Sequence, residues 1–317
     1  METGLNSFLN VTGRTDPSWE AAAGVVSSRI QIPIHVWQLF RNAWHGAADS
    51  KEFMKILGFS KLKPIALLHA ANIMPPGSTP SGALIESAIQ NLGARLSVAV
   101  LSISFVCREV LNSKPPRAWR STFEKMMTAV EIGYKVGARS FEIGIEGGAM
   151  VGFTMYAGHA LLMAENGKVY RDWFNTTHGG ERSSREIELE TFGCEPYQIG
   201  AVLLQTLGFG HEMAIGVACA AGNIHPQFMI LPPEVKKWQA VYQWIEALRL
   251  GRNFPADPDV RNFFPELAPP APGSSQAKNL TLEVLYTEVA KIRSVGSGWT
   301  WHLPKSSYEE TSQMLGQ

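Results

Sequence analysis

Eight histidines are the residues of this chain best suited to acid–base or metal chemistry: His35, His45, His69, His159, His178, His211, His225 and His302. None belongs to an HxH, HExxH or His-Asp neighbour pair, the spacings that aim several donors at one divalent ion. A zinc site would have to be assembled from residues distant in sequence. No Gly-x-Ser-x-Gly elbow supplies a serine nucleophile. Gly144-Ile145-Glu146-Gly147-Gly148 is glycine-rich, but it follows no strand and lacks both the Walker and the dinucleotide pattern, so it is a weak phosphate cradle. Cys107, Cys194 and Cys219 are far apart, with no CxxC spacing, and read as three small buried hydrophobes in a reducing compartment. The residue types present thus point to no self-contained reaction centre.

The elements that would have to position any of these groups are helical. Ile34 to Trp44 carries a wide apolar face. Ser50-Lys51-Glu52-Phe53 opens a helix with a serine cap, and Gly58 ends it. Lys63 to Ile73 follows and stops at Pro75-Pro76-Gly77. Gly82 to Leu92 and Ala94 to Leu111 are separated by Gly93; Trp119 to Val136 comes after Pro115-Pro116. Phe141 to Ala164 is helical although it holds Gly144, Gly147, Gly148, Gly152 and Gly158. Each such glycine costs about 1 kcal/mol against alanine, and the expected benefit is close backbone approach in a packed core or a site with little room.

Asn175 to Ser184 reads as a polar loop, and Tyr197 to Leu207 and His211 to Ala221 as short helices divided by Gly208-Phe209-Gly210. After Pro226 the character changes to a helix over Val235 to Leu250 and a connector, Phe254 to Gly273, with six prolines. An amphipathic helix, Leu280 to Val295, ends the periodic part. Its narrow stripe suits docking on the domain itself or on a second copy, and self-docking is the expectation. The final stretch, Gly296 to Gln317, holds Trp299 and Trp301 and is expected to dock at first and fray at its end. Met126, Met127, Met150, Met155 and Met163 lie along the central helices and are expected to fill a core.

Composition narrows the function classes. Hydrophobic residues make up 45% and charged residues 18%, and 28 Lys plus Arg balance 28 Asp plus Glu. No global field favours nucleic acid or an anionic membrane. The most apolar run, Leu96 to Val106, is broken by serines and too short to span a bilayer. Met1 to Pro17 lacks the basic start and apolar run of a signal peptide. The expectation is a soluble cytoplasmic protein with no nucleic-acid or membrane partner.

The order of segments resembles the HDOD family, HD-related output domains of bacterial signalling proteins. The likeness begins at Ile30-Gln31-Ile32-Pro33 and runs through Leu67-Leu68-His69-Ala70-Ala71-Asn72. Ser87-Ala88-Ile89-Gln90-Asn91-Leu92-Gly93 and Trp119-Arg120-Ser121 carry it further. It closes with Phe192-Gly193-Cys194 and Ile199-Gly200-Ala201-Val202-Leu203-Leu204. The resemblance implies an all-α, multi-helix HDOD/HD-like bundle with a helical C-terminal extension. In these terms residues 1–29 are an N-terminal tail, 30–225 the HDOD-like domain, and 226–317 a C-terminal extension packing on it.

The same resemblance places Gly152-Phe153-Thr154-Met155-Tyr156-Ala157-Gly158-His159 in the frame where a phosphohydrolase carries Gly-x-x-His-Asp-x-Gly-Lys. There, adjacent imidazole and carboxylate bind the ion that activates water. Here the liganding positions are Met155 and Tyr156, and a thioether and a neutral phenol cannot replace them for a hard ion. Arg120-Ser121-Thr122 stands where an early histidine is expected, and Val217-Ala218-Cys219-Ala220-Ala221 where a histidine pair would end the site. The resemblance therefore implies no catalytic, cofactor or metal residue. It leaves a vestigial pocket of Trp119, Arg120, Met155, Tyr156 and His159, with Tyr156 filling the ion's space and His159 hydrogen-bonded to a neighbour.

The functional expectation is a non-catalytic bacterial signal-transduction module that binds a protein or a small regulatory ligand. The alternative is a divergent metal-dependent phosphohydrolase acting on nucleotides or cyclic dinucleotides.

Overall fold

Glycines set the spacing of the two central helices. The computed structural model describes residues 17–59, 62–73, 81–117, 119–222, 231–270 and 279–299. Among these, fourteen helices and no strand are present. In chain order they are α1 (Pro17–Arg29), α2 (Ile34–Trp44), α3 (Ser50–Phe59), α4 (Ile65–Ala70), α5 (Gly82–Asn112), α6 (Trp119–Gly137) and α7 (Ile145–Glu165). Then follow α8 (Gly167–Thr176), α9 (Arg185–Phe192), α10 (Pro196–Thr206), α11 (His211–Ala221), α12 (Pro233–Arg249), α13 (Pro258–Arg261) and α14 (Leu280–Val295).

Helix α7 is the centre of the fold. Fifteen of its 21 residues are buried, so it is enclosed on nearly every side rather than along one stripe. It packs antiparallel against α6 with the backbones almost touching. A Cβ on Gly148 would lie 1.9 Å from the Gly133 carbonyl oxygen, and one on Gly152 would lie 2.1 Å from that of Ala129. The glycine cost anticipated for this segment is thus offset by backbone contact that no side chain would permit. On another side of α7, a Cβ on Gly158 would stand 1.9 Å from the Pro196 carbonyl oxygen at the start of α10.

Gly93 divides α5 where the sequence places the break, with φ 73° and ψ 165°, a conformation that L side chains rarely adopt. α4 is shorter than the expected Lys63 to Ile73, because Pro64 opens it and Asn72 takes φ 54° beyond its end. α3 begins at Ser50 as expected, but the capping acceptor is Asp49, whose Oδ1 takes the Glu52 N–H at 2.9 Å.

One expectation is corrected at the N-terminus. Residues 17–29, read as part of a tail, form α1, which buries Trp19, Ala22 and Val26 at helical spacing. Trp19 meets Tyr197 edge-on at 6.2 Å, Gln198 Nε2 donates to Ser18 Oγ at 2.7 Å, and Arg29 pairs with Glu165 at 2.6 Å. The stripe is hard to see in sequence because the rest of the helix is alanine, glycine and serine.

The C-terminal helices pack on the same core. α12 runs along α7: Trp238 lies against Gly147, and Ile245 is fully buried beside Gly133. α14 docks on the chain itself, burying Leu282, Leu285, Val289 and Ile292, while Glu288 pairs with Lys135 of α6 and with Arg139 just beyond its end. All three cysteines are free and buried. No helix among the described residues is long and apolar enough to cross a membrane. The expected stop at Pro75-Pro76-Gly77, the boundary at 225–226, the end of the proline connector, His225, Trp301 and His302 lie outside the described residues.

Candidate functional site

The segment in the HD frame projects from the last half of α7, where three other elements converge. Across the α6–α7 pair, the facing of Gly133 with Gly148 and of Ala129 with Gly152 continues down the hairpin and sets Thr122 level with His159. α8 crosses this end after Asn166, whose side chain caps it by accepting from the Val169 N–H at 3.2 Å. Tyr170, Trp173 and Phe174, spaced i, i+3 and i+4, form its apolar face. The chain then turns through His178, Gly179 and Gly180, all with positive φ, and Lys125 Nζ donates to the Gly179 carbonyl at 3.0 Å.

The His159 ring sits among aromatics. It stacks on Trp173 with centroids 5.3 Å apart at 26°, and its centroid is 6.3 Å from Tyr170 and 6.1 Å from Tyr156. Tyr170 and Thr122 share a buried hydroxyl–hydroxyl hydrogen bond of 3.1 Å. The expected hydrogen bond to His159 is not what holds the ring at Nδ1. That atom is buried and has no hydrogen-bond partner; stacking and burial hold it instead. Burial pushes the imidazole down to about 4, and the nearby Lys125 cation adds to the effect. His159 is therefore neutral at physiological pH.

Tyr156 faces a different neighbour. The Arg249 guanidinium, at the end of α12, lies 5.7 Å from its ring centroid, the geometry of a cation–π contact. Burial raises the phenol above its ordinary value; the Arg249 charge acts against this and the Glu246 charge with it. The phenol stays neutral, and Arg249 Nε is buried without a hydrogen-bond partner. Met155 is half-buried against the core.

The structure brings the rings of Tyr156 and His159 to 6.1 Å of each other. Trp119 meets Phe123 edge-on at 5.5 Å, and the Arg120 guanidinium lies 5.9 Å from the Trp119 ring centroid. The residues that do converge were not singled out from sequence: Thr122, Lys125, Tyr170, Trp173 and Arg249. The spacing of the α8 aromatics was a readable signal. Arg249 had none, being 93 positions from Tyr156 and joined to it only by the fold.

These residues do not fit the divalent ion of an HD-type phosphohydrolase. Its two central donors would be a thioether and a phenol kept protonated, with a guanidinium already over the phenol ring. Among the described residues no group of three or more His, Cys, Asp or Glu side chains is placed to hold a metal ion.

No protein-family model matches the chain, and no curated protein is similar to it in sequence. Its architecture is similar to the crystal structure of an HDOD domain protein of unknown function from Geobacter sulfurreducens. The TM-score is 0.56, with 12% identity, and the match covers 89% of this chain and 97% of that one. The fold is that of an HDOD domain. At this identity the likeness is one of architecture.

Proposed function

We propose that this chain is a non-catalytic HDOD module of bacterial signal transduction, acting by binding a protein or a small regulatory ligand. One observation carries the reading: the position of the catalytic carboxylate holds Tyr156, a protonated phenol beneath the Arg249 guanidinium. A cation at that point electrostatically opposes a second, divalent one. His159 beside it is neutral and half-buried, and its Nδ1 has no hydrogen-bond partner, so the pair lacks the oriented contact that general acid–base catalysis needs.

The test is turnover. Full-length protein is incubated with bis(p-nitrophenyl) phosphate and with cyclic dinucleotides, with Mn²⁺, Mg²⁺ or Zn²⁺ added in turn. The reading expects no hydrolysis above the metal-only control. Turnover that rises with enzyme concentration and is abolished by chelator would overturn it in favour of a divergent phosphohydrolase.

A further inference from the structure

Helix α6 has a second face, turned away from α7, and it borders an apolar cavity. Met127, Val130 and Tyr134 line one wall, Ala66 and Ala70 of α4 another, and Leu92, Leu96, Val100 and Ile103 of α5 the floor. Leu96, Val100 and Ile103 recur at helical spacing after the Gly93 break, Leu92 comes just before it, and all four are half-buried. The cavity measures about 180 Å³, and its lining carries no charged group among the described residues. Its polar atoms are the hydroxyls of Ser104 and Tyr134 and the indole N–H of Trp299.

Trp299 closes one side. Its ring meets Tyr134 at 4.9 Å and 66°. The strap that delivers it, Gly296 to Trp299, leaves the end of α14 and is tied to α6 by a single carboxylate. Ser297 Oγ donates to Glu131 Oε2 at 2.6 Å, the Gly298 N–H donates to the same oxygen at 3.0 Å, and the Trp299 N–H donates to Ser297 Oγ at 3.0 Å. The strap is a short run of glycine and serine that meets α6 through two hydrogen bonds to Glu131 and through the indole on Tyr134.

We propose that this cavity is a binding site for a small neutral aromatic molecule of one or two rings, and that the Gly296–Trp299 strap is its lid. Size, charge and shape converge on that class. An apolar cavity of about 150 Å³ accepts benzene, so this one accommodates a ring of that size or somewhat larger. An ion would lose its hydration with no opposite charge in the lining to replace it. The Met127 thioether and the rings of Tyr134 and Trp299 favour a flat, polarisable guest through edge and sulfur contacts. The site lies on the opposite side of α6 from Tyr156 and His159, so it goes beyond the functional reading above and does not depend on it.

Fluorobenzene is the probe, followed by ¹⁹F NMR as full-length protein is titrated into it. The proposal expects a saturable shift. Ala70→Leu, which adds bulk inside the cavity, abolishes it while the circular dichroism and melting curve stay native. If that variant is unstable, Val100→Leu serves the same purpose. Trp299→Ala, which removes the lid, weakens binding about tenfold. Absence of a saturable shift in the wild-type chain, or unchanged binding in both filled variants, overturns the proposal. In a chain that binds no probe, strong hydrogen-exchange protection of residues 300–317 would assign the cavity to the chain's own C-terminus. Concentration-dependent self-association in that chain would assign it to a second copy, and either result overturns the proposal.

Discussion

The guanidinium of Arg249 lies over the ring of Tyr156, 5.7 Å from its centroid. Tyr156 lies on the central helix α7 and Arg249 closes α12. Together they place a fixed protein cation where the HD frame would put the ligands of a metal ion. Restoring the motif therefore should not restore the chemistry. In Met155→His with Tyr156→Asp, the new carboxylate lies close to Arg249 and pairs with it, which withdraws it from any ion. The expected outcome is no metal-dependent phosphodiester hydrolysis, measured by release of p-nitrophenol; turnover in this double variant would show that the rest of the site is intact.

His159 makes stability depend on pH. Its ordinary value is 6.5, and in the folded chain burial and Lys125 lower it to about 4. Between those values the unfolded chain binds a proton that the folded chain does not. Stability is therefore fully present above pH 6.5 and is lost as pH falls toward 4, by roughly 2 kcal/mol at pH 5. His159→Phe removes this dependence while keeping a ring to stack on Trp173. Urea denaturation at pH 8 and pH 5 measures it: the wild type should lose more stability than the variant, and equal losses would refute the assignment.

The glycines divide into two kinds, and substitution separates them. Gly148→Ala drives a methyl group into the Gly133 carbonyl, where the gap is 1.9 Å, and forces α6 and α7 apart at a cost of roughly 3 kcal/mol or more. Gly24 lies on the exposed side of α1 with nothing within 4 Å of its Cβ position. Gly24→Ala should stabilise the chain by about 0.5–1 kcal/mol through helix propensity. Thermal or urea melts of the two variants should move in opposite directions.

Helix α1 is part of the folding unit. Trp19 is 2% exposed, and Trp19→Ala removes a large buried ring at a cost of about 3–5 kcal/mol. A melt unchanged by that substitution would mean that α1 is detached in solution.

Sequence made the all-helical class readable, together with the boundaries of α2 and α14 and the break at Gly93, because each combines strong apolar periodicity with a clear stop. Helix α1 was hidden by its composition, since a buried face of one tryptophan, one alanine and one valine looks like an unstructured tail. Helix α9 buries none of its residues, so it has no apolar stripe to read. At the candidate site, the thioether of Met155 and the phenol of Tyr156 were legible as residue types. Their surroundings were not, because Arg249, Lys125 and the α8 aromatics meet His159 and Tyr156 only through tertiary packing.

The most direct measurement is the metal content of full-length protein, prepared without an affinity-tag metal and assayed by inductively coupled plasma mass spectrometry after dialysis against manganese, iron and zinc. An account in which Arg249 and a protonated Tyr156 occupy the ion's place predicts only trace, substoichiometric metal, unchanged in Tyr156→Phe. One tightly held ion per chain, lost on substitution of Tyr156 or His159, would contradict it.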